Sequence, residues 1–417
     1  MMNAEDRALR VDGKRLWSRL MEIARIGALP HGGVDRQALT DADRRGRDLF
    51  RRWCEDAGLT VEVDRIGNLF ARRAGIDDTL PPVLVGSHLD SQPTGGKFDG
   101  VYGVLAGLEV AQTLNERGVR TLHPLEIASW TNEEGARFSP AMVGSGVFAG
   151  VFTLDYGLSR TDKAGRTLGD ELARIGYAGE RDVGGHAYAA ALELHIEQGP
   201  ILEQRGLTIG VVTGVQGMRW YDLVIEGREV HAGPTPMADR RDPFRALCEI
   251  QQALYALVDG HAPDSRVTFG DLSVEPGSRN TVPGRVVLSV DLRHPDEATL
   301  QRMEDAFVTI AADACERHRV THRIDTVWHS PAVRFAPSCV DAVERASGAL
   351  GLPACRMVSG AGHDSVYLSR MMPTGMIFIP CRDGVSHNEA EEAEPAHVEA
   401  GANVLLGAIV ELTRARI

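Results

Sequence analysis

The chain has 417 residues, 43% hydrophobic and 25% charged, an ordinary globular usage that excludes a disordered or fibrous protein. At roughly 100–200 residues per domain this length predicts two or three domains, large enough to hold a core without disulfides. Lys plus Arg number 45 against 58 Asp plus Glu, a net charge of −13, which argues against a general nucleic-acid or anionic-membrane binder because both need clustered cations.

Cys54, Cys248, Cys315, Cys339, Cys355 and Cys381 form no CxxC pair and read as reduced thiols of a cytoplasmic protein. The first 29 residues carry charges every few positions and lack the apolar core of a signal peptide. No apolar run approaches the roughly 20 residues that a membrane-spanning helix needs. Leu16, Leu20, Ile23 and Ile26 recur at helical spacing, as do Leu49 and Trp53, so residues 5–58 read as largely helical around a loop at 30–33. Strand-like runs follow at 60–64 and 68–72, then a fully apolar strand at 82–86. A helix over 100–116 carries the stripe Leu105, Leu108, Val110 and Leu114 and closes at Gly118. Further strands are predicted at 125–130 and 191–195. Strands alternating with helices predict an α/β structure, a mostly parallel sheet with helices on both faces.

Residues 213–326 read differently, as strand 221–225, helix 243–258, strands 265–274 and 285–292, helix 297–318 and strand 321–327. That β-α-β-β-α-β order is a two-layer sandwich of a size that can stand alone. The predicted organisation is a catalytic domain in two parts, 1–212 and 328–417, interrupted by an inserted domain at 213–327.

The chemistry-bearing residues fall at strand ends. The run VLVGSHLD ends a buried strand in His88, two residues before Asp90, and Asp99 precedes the next helix. Side chains at the carboxyl ends of strands in such sheets converge on one crevice, and imidazole with carboxylate suits a divalent transition metal. Taken alone, a strand-capping His and two turn-forming Asp explain this run equally well. The strand at 125–130 leads into TNEEG, where Glu133 and Glu134 repel unless a cation or proton offsets them. Adjacent residues point in different directions, so one can bind metal while the other reaches water. ELHIEQG puts His195 and Glu197 on one side of a third strand end, and the strand at 376–380 leads into DGVSHNE with His387. Three His and two or more carboxylates, each at a strand end, fit a two-metal hydrolase centre with Glu133 as general base.

The ordered set GSHLDSQPTGGKFDG, TNEEGARF, ELHIEQGP, GREVHAGPTPM, SRNTVPG, LRHPD, SGAGHD and DGVSHNEAE, from about residue 15 to 415, resembles the amidase branch of the M20-type metallopeptidase clan. More narrowly it is similar to the hydantoinase/carbamoylase family, the N-carbamoyl-amino-acid hydrolases, with β-ureidopropionase and allantoate amidohydrolase close by. The resemblance implies two divalent ions per subunit (Zn²⁺, Mn²⁺ or Co²⁺), held by His88, Asp99, Glu134, His195 and His387, with Asp99 bridging. It makes Glu133 the general base and Asp90 the partner that orients His88. His195 stands where the peptidase relatives usually have a carboxylate. The inserted domain becomes a lid and homodimer interface, from which His231 reaches the other subunit's active site and faces a developing oxyanion. Asn280 and Arg293 would grip the substrate carboxylate, Gln198 the ureido group, and Gly360, Ala361 and Gly362 would supply backbone donors. A surface ion pair with Asp291 or Asp296 is the alternative for Arg293.

The implied reaction is cleavage of a linear ureido C–N bond of an N-carbamoyl-L-amino acid or N-carbamoyl-β-alanine, giving amino acid, CO2 and ammonia. An allantoate amidohydrolase is the first alternative, ranked second on the segment from Gln92 to Lys97. An M20-type peptidase or aminoacylase is opposed by HIEQG, and an inactive binding homologue by the complete ligand set. The run GSGVFA at 144–149 loosely matches a nucleotide-binding pattern but has no preceding strand or helix-opening signal. No GxSxG or GxxxxGK[ST] motif occurs. The acidic run 389–394 reads as solvated surface, the pair His363 and Asp364 as shaping its loop, and His31, His123, His186 and His261 as structural or exposed.

Overall fold

Four strands, Val83–His88, Leu125–Trp130, Ala190–Ile196 and Thr374–Ile379, are buried along their whole length, as parallel strands covered on both faces must be. In the computed structural model, which describes residues 9–414, they pair in parallel, in the order Leu125–Trp130, Val83–His88, Ala190–Ile196, Thr374–Ile379. Antiparallel strands Leu69–Arg73 and Thr60–Val63 extend one side. Antiparallel Ile209–Val215, with Val333–Arg334 beside it, extends the other. One face is covered by the helices Val101–Glu116 and Pro395–Leu412. On the opposite face Phe70, Leu84, Ala128, Trp130 and Ala191 pack against Phe148, Leu368 and Met372.

The N-terminal helical stretch is two helices, Gly13–Ile23 and Asp41–Asp56, started by the side chains of Asp12 and Thr40, which accept from Arg15 N and Asp43 N. The expected helical start at residue 5 lies outside the described residues. Residues Val143–Phe148, where the sequence offers no helix-opening signal, do form a short helix, every residue of it buried. A Cβ on its Gly144 would lie 2.5 Å from Thr131 N, so this glycine lets two backbones touch.

By internal contacts the chain divides into two units, one made of the chain up to Gly214 and from Arg334 onward, the other Val215–Val333. The sequence predicts an insertion ending at 327. Its last strand continues as Thr321–Ser330 because Trp328, His329 and Ser330 stay paired with Trp220, Arg219 and Met218. The second unit is an antiparallel sheet in the order Leu272–Glu275, Arg285–His294, Gly217–Glu226, Thr321–Ser330. Pro243–Asp259 and Glu297–His318 cover one face, with Leu247, Ile250, Leu254, Leu300, Met303 and Phe307 sharing a core with Tyr221, Leu223, Ile225, Val286, Leu288 and Val290. Alternate residues of Arg285–His294 are buried, the period-two signature of a sheet covered on one side. The single strand expected at 265–274 is two, Arg266–Thr268 and Leu272–Glu275, because Gly270 N and Asp271 N donate to Ser289 Oγ and interrupt the ladder. Among the described residues no helix is long and apolar enough to cross a membrane.

Candidate active site

The parallel strands deliver their polar residues to one end of the sheet. His88 closes its strand, Glu133 and Glu134 follow Trp130, His195 lies one residue from the end of Ala190–Ile196, and His387 sits in the loop after Thr374–Ile379. Asp99 stands just before the helix Val101–Glu116 and is the hub of the group. Its Oδ1 is 3.1 Å from His195 Nε2 and 3.5 Å from His88 Nε2. Its Oδ2 is 3.4 Å from His387 Nε2, which is itself 3.4 Å from Glu134 Oε2. Two donor sets therefore share one carboxylate: His88, Asp99 and His195, and Asp99, Glu134 and His387, the donor atoms of each set lying within 4.8 Å of one another. Glu133 Oε2 lies 3.4 Å from His88 Nε2.

The backbone explains how neighbouring carboxylates part. Asn132 adopts a left-handed conformation (φ 56°) held by its own amide, which donates to Phe138 O at 2.7 Å. Glu133 then faces His88 and Glu134 faces His387. The Nδ1 atoms of His88 and His195 lie 2.9 Å from the carbonyls of Asp90 and Ile196. Each N–H donates there and leaves Nε2 as the ligating atom. Gly100 has φ +66°, and a Cβ there would fall 2.3 Å from His88 Nε2.

The charges ask for a cation. Burial raises the Glu133 carboxyl well above its usual range; His88 opposes this, and Asp364, Glu134 and Asp90 add to it. Burial and then Asp99 push Glu134 up to about 7. Burial works against ionised Asp99 as well, yet His195, His387 and His88 hold it well below the usual range. The hydrogen bond to Asp99 carries His387 up to about 9. Crowded buried carboxylates interleaved with imidazoles are the hard-and-borderline donor mixture that divalent zinc, manganese or cobalt accepts, so the residues present fit two such ions.

Residues 84–411 match Peptidase family M20/M25/M40. The N-carbamoyl-L-amino-acid amidohydrolase of Rhizobium meliloti is 48% identical, over 96% of this chain and 97% of its own length. The chain belongs to the M20 family, in its hydantoinase/carbamoylase branch. The crystal structure of an amidase of the hydantoinase/carbamoylase family from Burkholderia multivorans is 53% identical, with a TM-score of 0.95 over 98% of this chain and 100% of that one. A more distant relative, the allantoate amidohydrolase of Bacillus subtilis, is 33% identical over 94% of this chain and 95% of its own. This M20 amidase is thus a metal-binding hydrolase of a non-peptide C–N bond.

Several expectations for the amidase need correction. The Asp90 carboxylate does not hold His88: its Oδ1 is 4.0 Å from Nδ1, and its two oxygens accept the backbone N–H groups of Glu133 and Glu134 at 3.3 Å. The main-chain carbonyl of Asp90 orients the ring instead. Ala361 N is engaged by Ser359 Oγ at 3.1 Å, so of Gly360, Ala361 and Gly362 it is not an open donor. Gln92 donates from N and Nε2 to Glu134, so this residue braces one of the proposed ligands. The run 389–394 is not all solvated surface, since Glu391 is 1% exposed and accepts from Phe98 N, Asp99 N and Ser386 Oγ. Gly96 was the one sequence mark of it, because a Cβ there would meet the Glu391 carboxyl.

His363 stays in its loop, 3.0 Å from Ser359 Oγ, with burial and then His195 holding it well below its usual pKa. It also forms a donor group with Glu193 and His195, but Glu193 is already occupied by Ser87 Oγ and Ser365. Gln198 Nε2 donates to Asp99 Oδ2 at 2.8 Å, while its Oε1 is buried with no hydrogen-bond partner among the described residues. On the second unit, His231 lies opposite Thr281, and Ala232 N donates to Asn280 O, so His231 and Asn280 are neighbours. Gly233 N donates to His231 Nδ1 at 3.0 Å, which puts the ring proton on Nε2. Arg293 forms the ion pair left open as its alternative, with Nε and Nη2 both on Asp291.

Proposed function

We propose that the protein hydrolyses N-carbamoyl-L-amino acids, or N-carbamoyl-β-alanine, to the amino acid, CO2 and ammonia, consuming one water. The observation that carries this reading is the pair of donor sets sharing Asp99 with Glu133 beside them, in a chain 48% identical to an enzyme named for that substrate class. When bound, two divalent ions held by His88, Asp99, Glu134, His195 and His387 supply Lewis acidity toward a carbonyl oxygen and a water. Glu133 receives the proton of the attacking water on Oε2 and passes it to the leaving nitrogen, from its place 3.4 Å from His88 Nε2. The unpartnered Oε1 of Gln198 accepts an N–H of the ureido group. His231, with its proton on Nε2, donates to the developing oxyanion in the other subunit of a homodimer built on the second unit. Asn280 and Arg293 take the substrate carboxylate, and Asp291 fixes the plane of the guanidinium.

Allantoate is the second reading, supported by the Bacillus subtilis relative at 33% identity and ranked below the carbamoyl reading by the 48% identical relative named for that class. The deciding experiment follows ammonia and amino-acid release by Mn²⁺-reconstituted protein. The compounds are N-carbamoyl-L-methionine, its D-enantiomer, N-carbamoyl-β-alanine, allantoate and N-acetyl-L-methionine. Turnover of the L-carbamoyl or β-alanine compound is expected. Preference for allantoate replaces the substrate and keeps the chemistry, and turnover of the N-acetyl compound alone overturns both.

A further inference from the structure

Besides the histidines, two side chains hold the carboxylate of Asp99: Gln198 Nε2 at 2.8 Å and Ser386 Oγ at 2.9 Å, both on Oδ2. Behind them sits Glu391. Its Oε1 accepts the backbone N–H groups of Phe98 at 2.9 Å and Asp99 at 3.1 Å, and its Oε2 is 2.9 Å from Ser386 Oγ. The side chain is buried and lies flat on Gly96, where a Cβ would fall 1.9 Å from its Cδ. One carboxyl thus touches both the main chain that carries Asp99 and the hydroxyl that addresses one of its oxygens.

We propose that Glu391 is the positioning residue of Asp99: through the 98–99 main chain and Ser386 it turns the carboxylate so that Oδ1 faces His88 and His195 while Oδ2 faces His387. This deepens the two-ion reading of the site and rests on it. A carboxylate shared by two donor sets must present one oxygen to each, and rotation about its Cβ–Cγ bond would break both. The Ser386 hydroxyl has one proton for two acceptors. A glutamine at 391 keeps the relay, because its amide oxygen can accept both main-chain N–H groups while its NH2 donates to Ser386 Oγ and leaves the hydroxyl proton for Asp99. An alanine removes both main-chain bonds and the contact to Ser386, leaving only the Ser386–Asp99 hydrogen bond.

The test titrates Co²⁺ into wild-type, E391Q, E391A, S386A and the E391A/S386A double variant, reading affinity and the d–d absorption spectrum, which reports ligand geometry independently of turnover. E391A is expected to bind Co²⁺ about 10–100-fold more weakly with an altered spectrum, the range seen for partners of metal ligands, and E391Q within about threefold of wild type. S386A, which leaves both main-chain bonds in place, is expected between them, and the double variant, which also loses the Ser386–Asp99 bond, at least as weak as E391A. Wild-type affinity and spectrum in E391A overturn the inference. So does E391Q as damaged as E391A, which would make the charge of Glu391 its contribution instead of its hydrogen bonds. Should E391A fail to fold, an unchanged S386A spectrum overturns the relay by itself. A wild-type protein that binds no Co²⁺ overturns the two-ion reading together with this inference, whereas the other failures overturn the inference alone.

Discussion

Glu133 and Glu134 share a peptide bond and have opposite tasks, one beside His88 and the other beside His387. Because Glu133 is assigned to the proton and not to the ions, Glu133→Gln is expected to keep both ions while turnover falls roughly 10²–10⁴-fold. Elemental analysis of the purified variant checks it, and loss of metal would move Glu133 into the ligand set. His387 makes the second prediction. With its pKa carried to about 9 by Asp99, the unloaded imidazole is protonated at neutral pH, and a cation that needs Nε2 must expel that proton. Apparent affinity therefore falls as pH drops below about 9, and more steeply below about 7, where Glu134 also takes up a proton. Calorimetric titration of Mn²⁺ at a pH near neutrality, in buffers of different ionisation enthalpy, is expected to count more than one proton released per protein, because His88 is likewise raised well above its usual range and Glu134 titrates near 7. Buffer-independent heats would remove His387 from the ligands.

At the scale of elements, the sheet was legible where burial on both faces leaves a mainly apolar run, even though Glu126 and Glu193 are buried within two of the strands. The candidate ligands stand at or just past the ends of these runs: His88 and His195 in the last two positions of Val83–His88 and Ala190–Ile196, Glu133 and Glu134 after Leu125–Trp130. Glu391 was hidden because an acidic run looks solvated, and what buries it lies 293 residues earlier in the chain, at Phe98. The helix Val143–Phe148 spans six residues, too few for a 3.6-residue period to repeat. The break after Thr268 depends on a single hydroxyl of another strand, Ser289. Gly100 tests how tightly one element shapes the site. Gly100→Ala meets a sparsely populated positive-φ backbone (φ 66°, ψ −51°) and the His88 ring at once, so it is expected to cost roughly 1–3 kcal/mol from the backbone alone. It should also displace His88 and weaken the donor set of His88, Asp99 and His195. Thermal unfolding combined with metal content checks this; two ions bound with wild-type affinity would show that the ring has room to shift.

For the molecule as a whole, the hydrolytic residues lie on the first unit and His231, Asn280 and Arg293 on the second. If His231 acts across a homodimer, mixing inactive His231→Ala with inactive Glu133→Gln subunits is expected to restore partial turnover, since one composite site in the hybrid then carries both groups. Verified heterodimers without recovery would confine each site to one subunit. The second unit also enters and leaves at one place: Met218 lies opposite Ser330 in its sheet, and Ile209–Val215 neighbours Val333–Arg334 in the other. Neither sheet needs the chain to travel between the two crossings. A stretch of gene encoding the second unit can therefore be exchanged as a cassette between relatives with its junctions intact. If His231, Asn280 and Arg293 have the roles proposed for them, such an exchange would replace part of the grip on the substrate while leaving both donor sets and Gln198 untouched.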